Sequence, residues 1–213
     1  MTAWLSRATL RPEAIRRGSP PDLDVGGWHR QMWKLLEAPA GAGRDFLFRV
    51  EDDERPPRAL VLSDRPPRLD DARWRVETRP FAPDLRAGDA LAFSLRANAT
   101  VKRDGKRHDI VRDAALSGRY PADATREVLA SQVGPDWLRQ RSEALGFGLR
   151  AVAASRYTGH RAWRRDQPPL RMSSLDFDGT LEVLDVARFL TTLRRGIGHA
   201  RGFGCGLLLI RRL

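Results

Sequence analysis

Hydrophobic positions change period along this chain, and each change marks an element. Residues 2–10 alternate weakly around Trp4, Leu5 and Leu10, which predicts a first strand. Pro20-Pro21 mark a loop. From Asp24 the apolar residues fall at Trp28, Met32, Leu35 and Leu36, a spacing of i, i+4, i+7 and i+8 that gathers them on one face of a helix. Gly41 and Gly43 end it. The runs Phe46-Leu47-Phe48-Arg49-Val50 and Ala59-Leu60-Val61-Leu62 predict short strands joined by the acidic turn Glu51-Asp52-Asp53-Glu54, and a further strand follows near 74–78.

The second half repeats the series. Residues 90–98 read as a strand, and 101–119 as a basic, irregular stretch. Helical patterns are expected over 122–133 and 136–146, separated by Gly134-Pro135. Residues 149–158 and 173–183 look like two strands of a hairpin, linked by the Arg- and Pro-rich HRAWRRDQPPLR. Asp185 can cap a helix carrying Val186, Phe189, Leu190 and Leu193 at i, i+3, i+4 and i+7, with Gly196 as its stop. Leu207-Leu208-Leu209-Ile210 predicts a last, buried strand. Both halves follow β-α-β-β-α-β order, with the second helix of the first half short or absent. The simplest architecture is α+β, two ferredoxin-like domains in tandem, residues 1–88 and 89–213.

Composition narrows the partner. Against 27 acidic residues stand 38 basic ones, a formal net charge of +11. That excess suits a polyanion, nucleic acid first and an anionic membrane surface second. Arginine dominates it, since Lys occurs only at 34, 102 and 106. One cysteine, Cys205, is too few for an internal disulfide or a cysteine-built zinc site, and its place at the head of an apolar run suits a core residue. MTAWLSRATL lacks the pattern of a signal peptide, and no apolar run approaches the roughly 20 residues of a membrane span. A soluble, cytoplasmic protein with no membrane partner is expected.

Five glycines, Gly196, Gly198, Gly202, Gly204 and Gly206, fall within eleven positions. A dinucleotide loop requires Gly-x-Gly-x-x-Gly after a strand and opening a helix. Here the spacing differs and the loop follows a helix and precedes a strand, so no nucleotide cofactor is expected, and the absence of Gly-Lys-Ser/Thr excludes a Walker loop. Two readings stay open. The glycines cap a helix and turn the chain, or they form an open backbone, flanked by Arg194, Arg195 and Arg201, along which a sugar-phosphate chain can lie.

The order helix, glycine loop, terminal strand resembles the C-terminal signature of the repeat-associated RNA-binding (RAMP) superfamily of CRISPR proteins. Further stretches are similar to its CasE family, the RNA-processing endoribonucleases of Cascade-type (type I-E) systems. These are RDFLFRVE at 44–51, FSLRAN at 93–98 followed by basic residues, FDGTL at 177–181, and GIGHARGFGCGLL at 196–208. The resemblance spans nearly the whole chain, in order. It implies tandem ferredoxin-like domains, metal-independent cleavage of the repeat hairpin in precursor CRISPR RNA, and retention of the product inside Cascade, with other Cascade subunits as partners.

The resemblance also places the catalytic histidine at His29, within HRQMWKL at 29–35. Histidine suits a metal-free ribonuclease because its pKa lies near neutrality, and RNA supplies its own nucleophile, the 2′-hydroxyl. The expected products are a 2′,3′-cyclic phosphate and a 5′-hydroxyl. One departure stands out: family members often carry a tyrosine three residues before this histidine, where this chain has Gly26. His199 occupies a loop position that is commonly proline, and Arg201 one that is commonly lysine, so either is a candidate to support the chemistry at the scissile phosphate.

Arginine forks match phosphate oxygens. Candidate RNA-binding residues are Arg96, Lys102, Arg103, Lys106, Arg107 and Arg112 in one basic stretch, and Arg156, Tyr157, His160, Arg161, Arg164 and Arg165 in another. Arg194, Arg195, Gly198 and Gly202 join them from the glycine loop and its approach. Acidic residues concentrate elsewhere, around 51–54 and 70–71, and this segregation favours an RNA face. No His/Asp/Glu spacing suggests a metal site, and no cofactor is expected. A non-catalytic RNA-holding subunit of the same kind of complex is the alternative that the missing tyrosine keeps open.

Overall fold

The computed structural model describes residues 3–16, 23–37, 41, 43–51, 54–164 and 167–213. They form two compact units. The first contains 1–83 with 162–170 and 202–204; the second contains 84–161, 171–201 and 205–213.

In the first unit, β1 (Ala3–Leu10), β2 (Phe46–Glu51), β3 (Arg58–Ser63) and β4 (Trp74–Phe81) form an antiparallel sheet in the order β2-β3-β1-β4. A short helix that periodicity did not reveal, α1 (Pro12–Arg16), follows β1, and α2 (Val25–Leu35) carries the predicted stripe. Met32, Leu35 and Leu36 are fully buried, each contributing about 1.5–3 kcal/mol of apolar burial, and Trp28 packs on Trp74 with ring centroids 5.4 Å apart. Asp24 caps α2, its Oδ1 accepting from the Gly27 amide at 2.6 Å. The core between helix and sheet is completed by Phe46, Phe48, Val61 and Ala8.

In the second unit, β5 (Ala90–Ala97), β8 (Phe147–Arg164), β9 (Gln167–Val183) and β10 (Leu208–Arg212) form a sheet in the order β10-β5-β9-β8. Numbered within the unit, this is the same 4-1-3-2 permutation as in the first, so each unit is ferredoxin-like. Strict alternation buries Leu91, Phe93, Leu95 and Ala97 on one face of β5. Helix α5 (Val186–Arg195) is capped by Asp185, whose Oδ1 accepts from the Arg188 amide at 3.0 Å, and it buries Phe189 and Leu193.

Three expectations need correction. First, Gly134-Pro135 does not divide two helices: α4 runs unbroken over Arg126–Ser142. Ala130, Gly134, Trp137 and Leu138 continue one buried face across the pair, and that burial outweighs the roughly 3 kcal/mol that an interior proline costs. Gly134 is there for approach, since a Cβ would lie 2.4 Å from the Ala154 methyl and 3.1 Å from Leu175 Cδ2.

Second, 101–119 is regular. Strands β6 (Thr100–Arg103) and β7 (Lys106–Asp109) pair through a two-residue turn, Asp104-Gly105, both with positive φ (48° and 75°), and α3 (Ile110–Leu116) follows. Asp109 caps α3 by accepting from the Arg112 amide at 2.8 Å. Third, HRAWRRDQPPLR is largely strand: β8 and β9 extend through it to 164 and from 167. Cys205 is buried and forms no disulfide. Among the described residues, no helix is long and apolar enough to cross a membrane.

Candidate active site

His29 stands in α2 immediately after the stripe residue Trp28, so its half-buried ring lies at the edge of the apolar face. The first unit supplies its surroundings. Nδ1 donates to the Gly202 carbonyl oxygen at 2.6 Å; a carbonyl only accepts, so this bond places the proton on Nδ1. In the neutral ring the lone pair therefore belongs to Nε2. Phe203 stacks on the imidazole with centroids 5.0 Å apart and planes 25° from parallel. Trp33 meets its edge at 6.1 Å and in turn packs against Phe46. A single ring is thus held by one backbone acceptor and two aromatic faces.

The glycine loop brings these groups. Gly202 approaches so closely that a Cβ there would sit 3.4 Å from Nδ1 and 3.5 Å from Cε1 of His29. Phe203 belongs to a 3₁₀ turn, Arg201–Phe203, and it is a site residue that pattern reading missed. The only hint in the sequence is an aromatic among glycines, and nothing local links it to a helix 174 positions earlier. Gly26 is buried in the first turn of α2, where a Cβ would meet Arg30 Nη1 and Asp24 Oδ1 at 3.4 Å and Ala162 at 3.7 Å. A Cβ at this position would make ordinary van der Waals contact with these neighbours.

The two candidates for supporting the chemistry, His199 and Arg201, lie in the second unit. His199 is exposed and forms an antiparallel bridge with Asn98. Partial desolvation, then the fields of Arg107, Arg201 and Arg141, hold its imidazole below the usual pKa, so it is neutral at pH 7. Arg201 donates to the Arg195 carbonyl at 2.7 Å, serving the end of α5. Gly198, with φ +82°, sits against the Asn98 carbonyl and Trp137.

The basic residues divide sharply. Arg96 is engaged by Asp176 in a bidentate pair, 2.7 and 2.9 Å, with side chains 13% and 5% exposed, so its fork is turned to the fold. Arg103 makes an exposed bidentate pair with Asp113. Lys102, Lys106, Arg107 and Arg112 are exposed on β6, β7 and α3. Arg156, at φ +52°, and Arg161 are exposed on β8. Tyr157 is half-buried beneath the Arg126 guanidinium, and burial, then the nearby Asp109 carboxylate, pushes its phenol up. His160 is half-buried, with Nε2 2.8 Å from Ser174 Oγ. Arg194 and Arg195 are exposed on the last turn of α5. Arg164 lies on β8, and Arg165 lies outside the described residues. One arginine that charge counting did not single out, Arg141, is stacked 4.5 Å over Trp137 and donates to the Trp137 carbonyl at 2.6 Å; burial lowers its pKa.

Comparison with known proteins places this arrangement. A family model described as CRISPR associated protein matches residues 3–212. The CRISPR-associated endoribonuclease Cse3 of Thermus thermophilus is 30% identical, covering 97% of this chain and 99% of that protein. The CRISPR system Cascade subunit CasE of Escherichia coli is 28% identical, covering 89% of this chain and 93% of that protein. Among solved structures, Thermus thermophilus Cse3 bound to an RNA representing a pre-cleavage complex superposes with a TM-score of 0.76 at 30% identity, covering 99% of this chain and 100% of that one. Family match, full-length identity and the tandem ferredoxin-like topology agree, and the chain belongs to the CRISPR-associated protein family, in its Cse3/CasE branch.

Proposed function

We propose that this protein is a CRISPR RNA-processing endoribonuclease that binds the repeat hairpin of precursor CRISPR RNA, cleaves it, and stays on the product as a Cascade subunit in the cytoplasm. The reading is carried by one observation: His29 has its Nδ1 occupied by a backbone carbonyl, leaving Nε2 as the atom that exchanges protons. It is supported by the relatives named endoribonuclease and Cascade subunit. Residues 1–88 carry the histidine and 89–213 most of the RNA-binding surface.

The chemistry follows from the substrate. Nε2 removes the proton of the 2′-hydroxyl next to the scissile phosphate. The 2′-oxygen–phosphorus bond forms as the phosphorus–5′-oxygen bond breaks, and the departing 5′-oxygen takes a proton from water. The products are a 2′,3′-cyclic phosphate and a 5′-hydroxyl, and the step needs neither metal nor nucleotide cofactor. The negative charge on the phosphate and stem is met by exposed cations, Lys102, Lys106, Arg107, Arg112 and Arg161 among them. Because the major groove of A-form RNA is deep and narrow, recognition rests on backbone shape with contacts to unpaired flanks.

The test uses the host's CRISPR repeat RNA in EDTA, beside a substrate with one 2′-deoxy group upstream of the cut. Native RNA is cleaved and the deoxy substrate is not; His29→Ala slows cleavage by about 10²–10⁴-fold. Native RNA that survives as long as the deoxy control sinks the enzyme reading and leaves an RNA-holding subunit. Equal cleavage by wild type and His29→Ala removes the assignment of His29.

A further inference from the structure

We infer that Gly202 and Phe203 of the glycine loop are the positioning group for His29, selecting its tautomer and fixing the plane of its ring. The inference rests on His29 being the catalytic base. A histidine free in water favours the tautomer protonated at Nε2, which has no lone pair there to accept a proton. The 2.6 Å bond from Nδ1 to the Gly202 carbonyl reverses that preference. Rotation about the bond to the ring is restrained separately, by Phe203 stacked at 5.0 Å on the face and Trp33 at 6.1 Å on the edge. In a hydrolytic triad a carboxylate fulfils the first task, accepting from the Nδ1–H of the catalytic histidine. Here an uncharged carbonyl does so, and it adds no negative charge that would oppose the approach of an RNA phosphate.

The position of Gly202 accounts for its residue type. A methyl at its Cβ would touch the imidazole at 3.4–3.5 Å, ordinary contact, whereas a branched side chain would reach into the ring and push it off the carbonyl. Gly202→Ala is therefore a conservative variant, and Gly202→Val and Phe203→Ala are disruptive ones. None of the three removes an ionisable group, so a change they cause in proton transfer acts through His29.

The experiment records the nitrogen-15 signals of the histidine rings in the full-length, RNA-free protein at about pH 9, where imidazoles are neutral. The wild type is expected to show His29 protonated at Nδ1 and unprotonated at Nε2, and Gly202→Ala to match it. Gly202→Val and Phe203→Ala are expected to show mixed tautomers and single-turnover cleavage, read at saturating protein so that binding does not enter the rate, slower by about 10- to 100-fold. Signals of His108, His160 and His199 that stay in place show that the variants are folded. An Nε2-protonated His29 in the wild type overturns the inference without any variant. So do disruptive variants that shift the tautomer and leave the rate alone. If His29→Ala cuts like the wild type, the catalytic reading fails, while the tautomer measurement still reports whether the loop holds the ring.

Discussion

Replacing Arg96 with methionine is expected to cost stability and leave the electrostatics of RNA binding intact, although Arg96 opens one of the two basic stretches of the chain. Arg96 and Asp176 are direct cross-strand partners on β5 and β9. Two short bonds join the guanidinium to the carboxylate, and the carboxylate is only 5% exposed. Removing the cation from such a pair leaves a buried charge without its main counter-ion, a loss of about 3–5 kcal/mol. Against a total of about 5–15 kcal/mol for a folded domain, that is a large share. Adding Asp176→Leu should recover most of it, because a buried pair replaced by apolar side chains is often neutral. Urea midpoints of wild type, single and double variants measure the first effect. The second is read from repeat-RNA affinity across a salt series. A lost phosphate contact lowers the slope by about 0.7–0.9, which is expected for Arg107→Ala and not for Arg96→Met. An Arg96→Met protein with an unchanged midpoint and a slope smaller by one contact would refute the reasoning.

Two further outcomes follow from packing and charge. Gly134→Ala gains about 1 kcal/mol of helix propensity, but its methyl would sit 2.4 Å from Ala154; overpacking of about 1–3 kcal/mol wins, and the thermal midpoint should fall. A rise would show that α4 can lift off the sheet at no cost. Folded His199 binds a proton less readily than the unfolded chain does. As pH falls through about 6.5, the unfolded state takes up that proton first, so stability drops below this pH and is regained above it. His199→Gln should flatten this dependence of the urea midpoint; an identical slope in the variant would show that other groups carry it.

Legibility tracked the range of the interaction that decides each element. The α2 stripe and the alternation in β5 are local periods facing a single core, so Trp28, Met32, Leu35 and Leu36, and Leu91, Phe93, Leu95 and Ala97, could be read directly. Gly134-Pro135 misled because the decision to stay helical belongs to Ala154, Leu175 and Phe177, all distant in sequence. Asp104-Gly105 was a readable turn signal, obscured by flanks of Lys and Arg in place of alternating hydrophobics. At the candidate site, family resemblance pointed to His29, but its carbonyl and its stacking partner come from a loop that no helical or strand period links to α2. Charge counting, likewise, ranked Arg96 with Lys102 and Arg107 because it cannot see that Asp176 lies opposite.

The 173-residue separation between His29 and Gly202 has a consequence for synthesis. Helix α2 and all four strands of its sheet are made by residue 81, while the carbonyl that holds the imidazole follows only at residue 202. A growing chain on the ribosome therefore carries the His29 ring without this anchor until residue 202 is made. Products truncated before residue 202 would keep those strands and that helix and lack the ring's anchor. On the proposed reading of His29, a chain made only as far as this sheet and helix lacks the alignment that cutting requires.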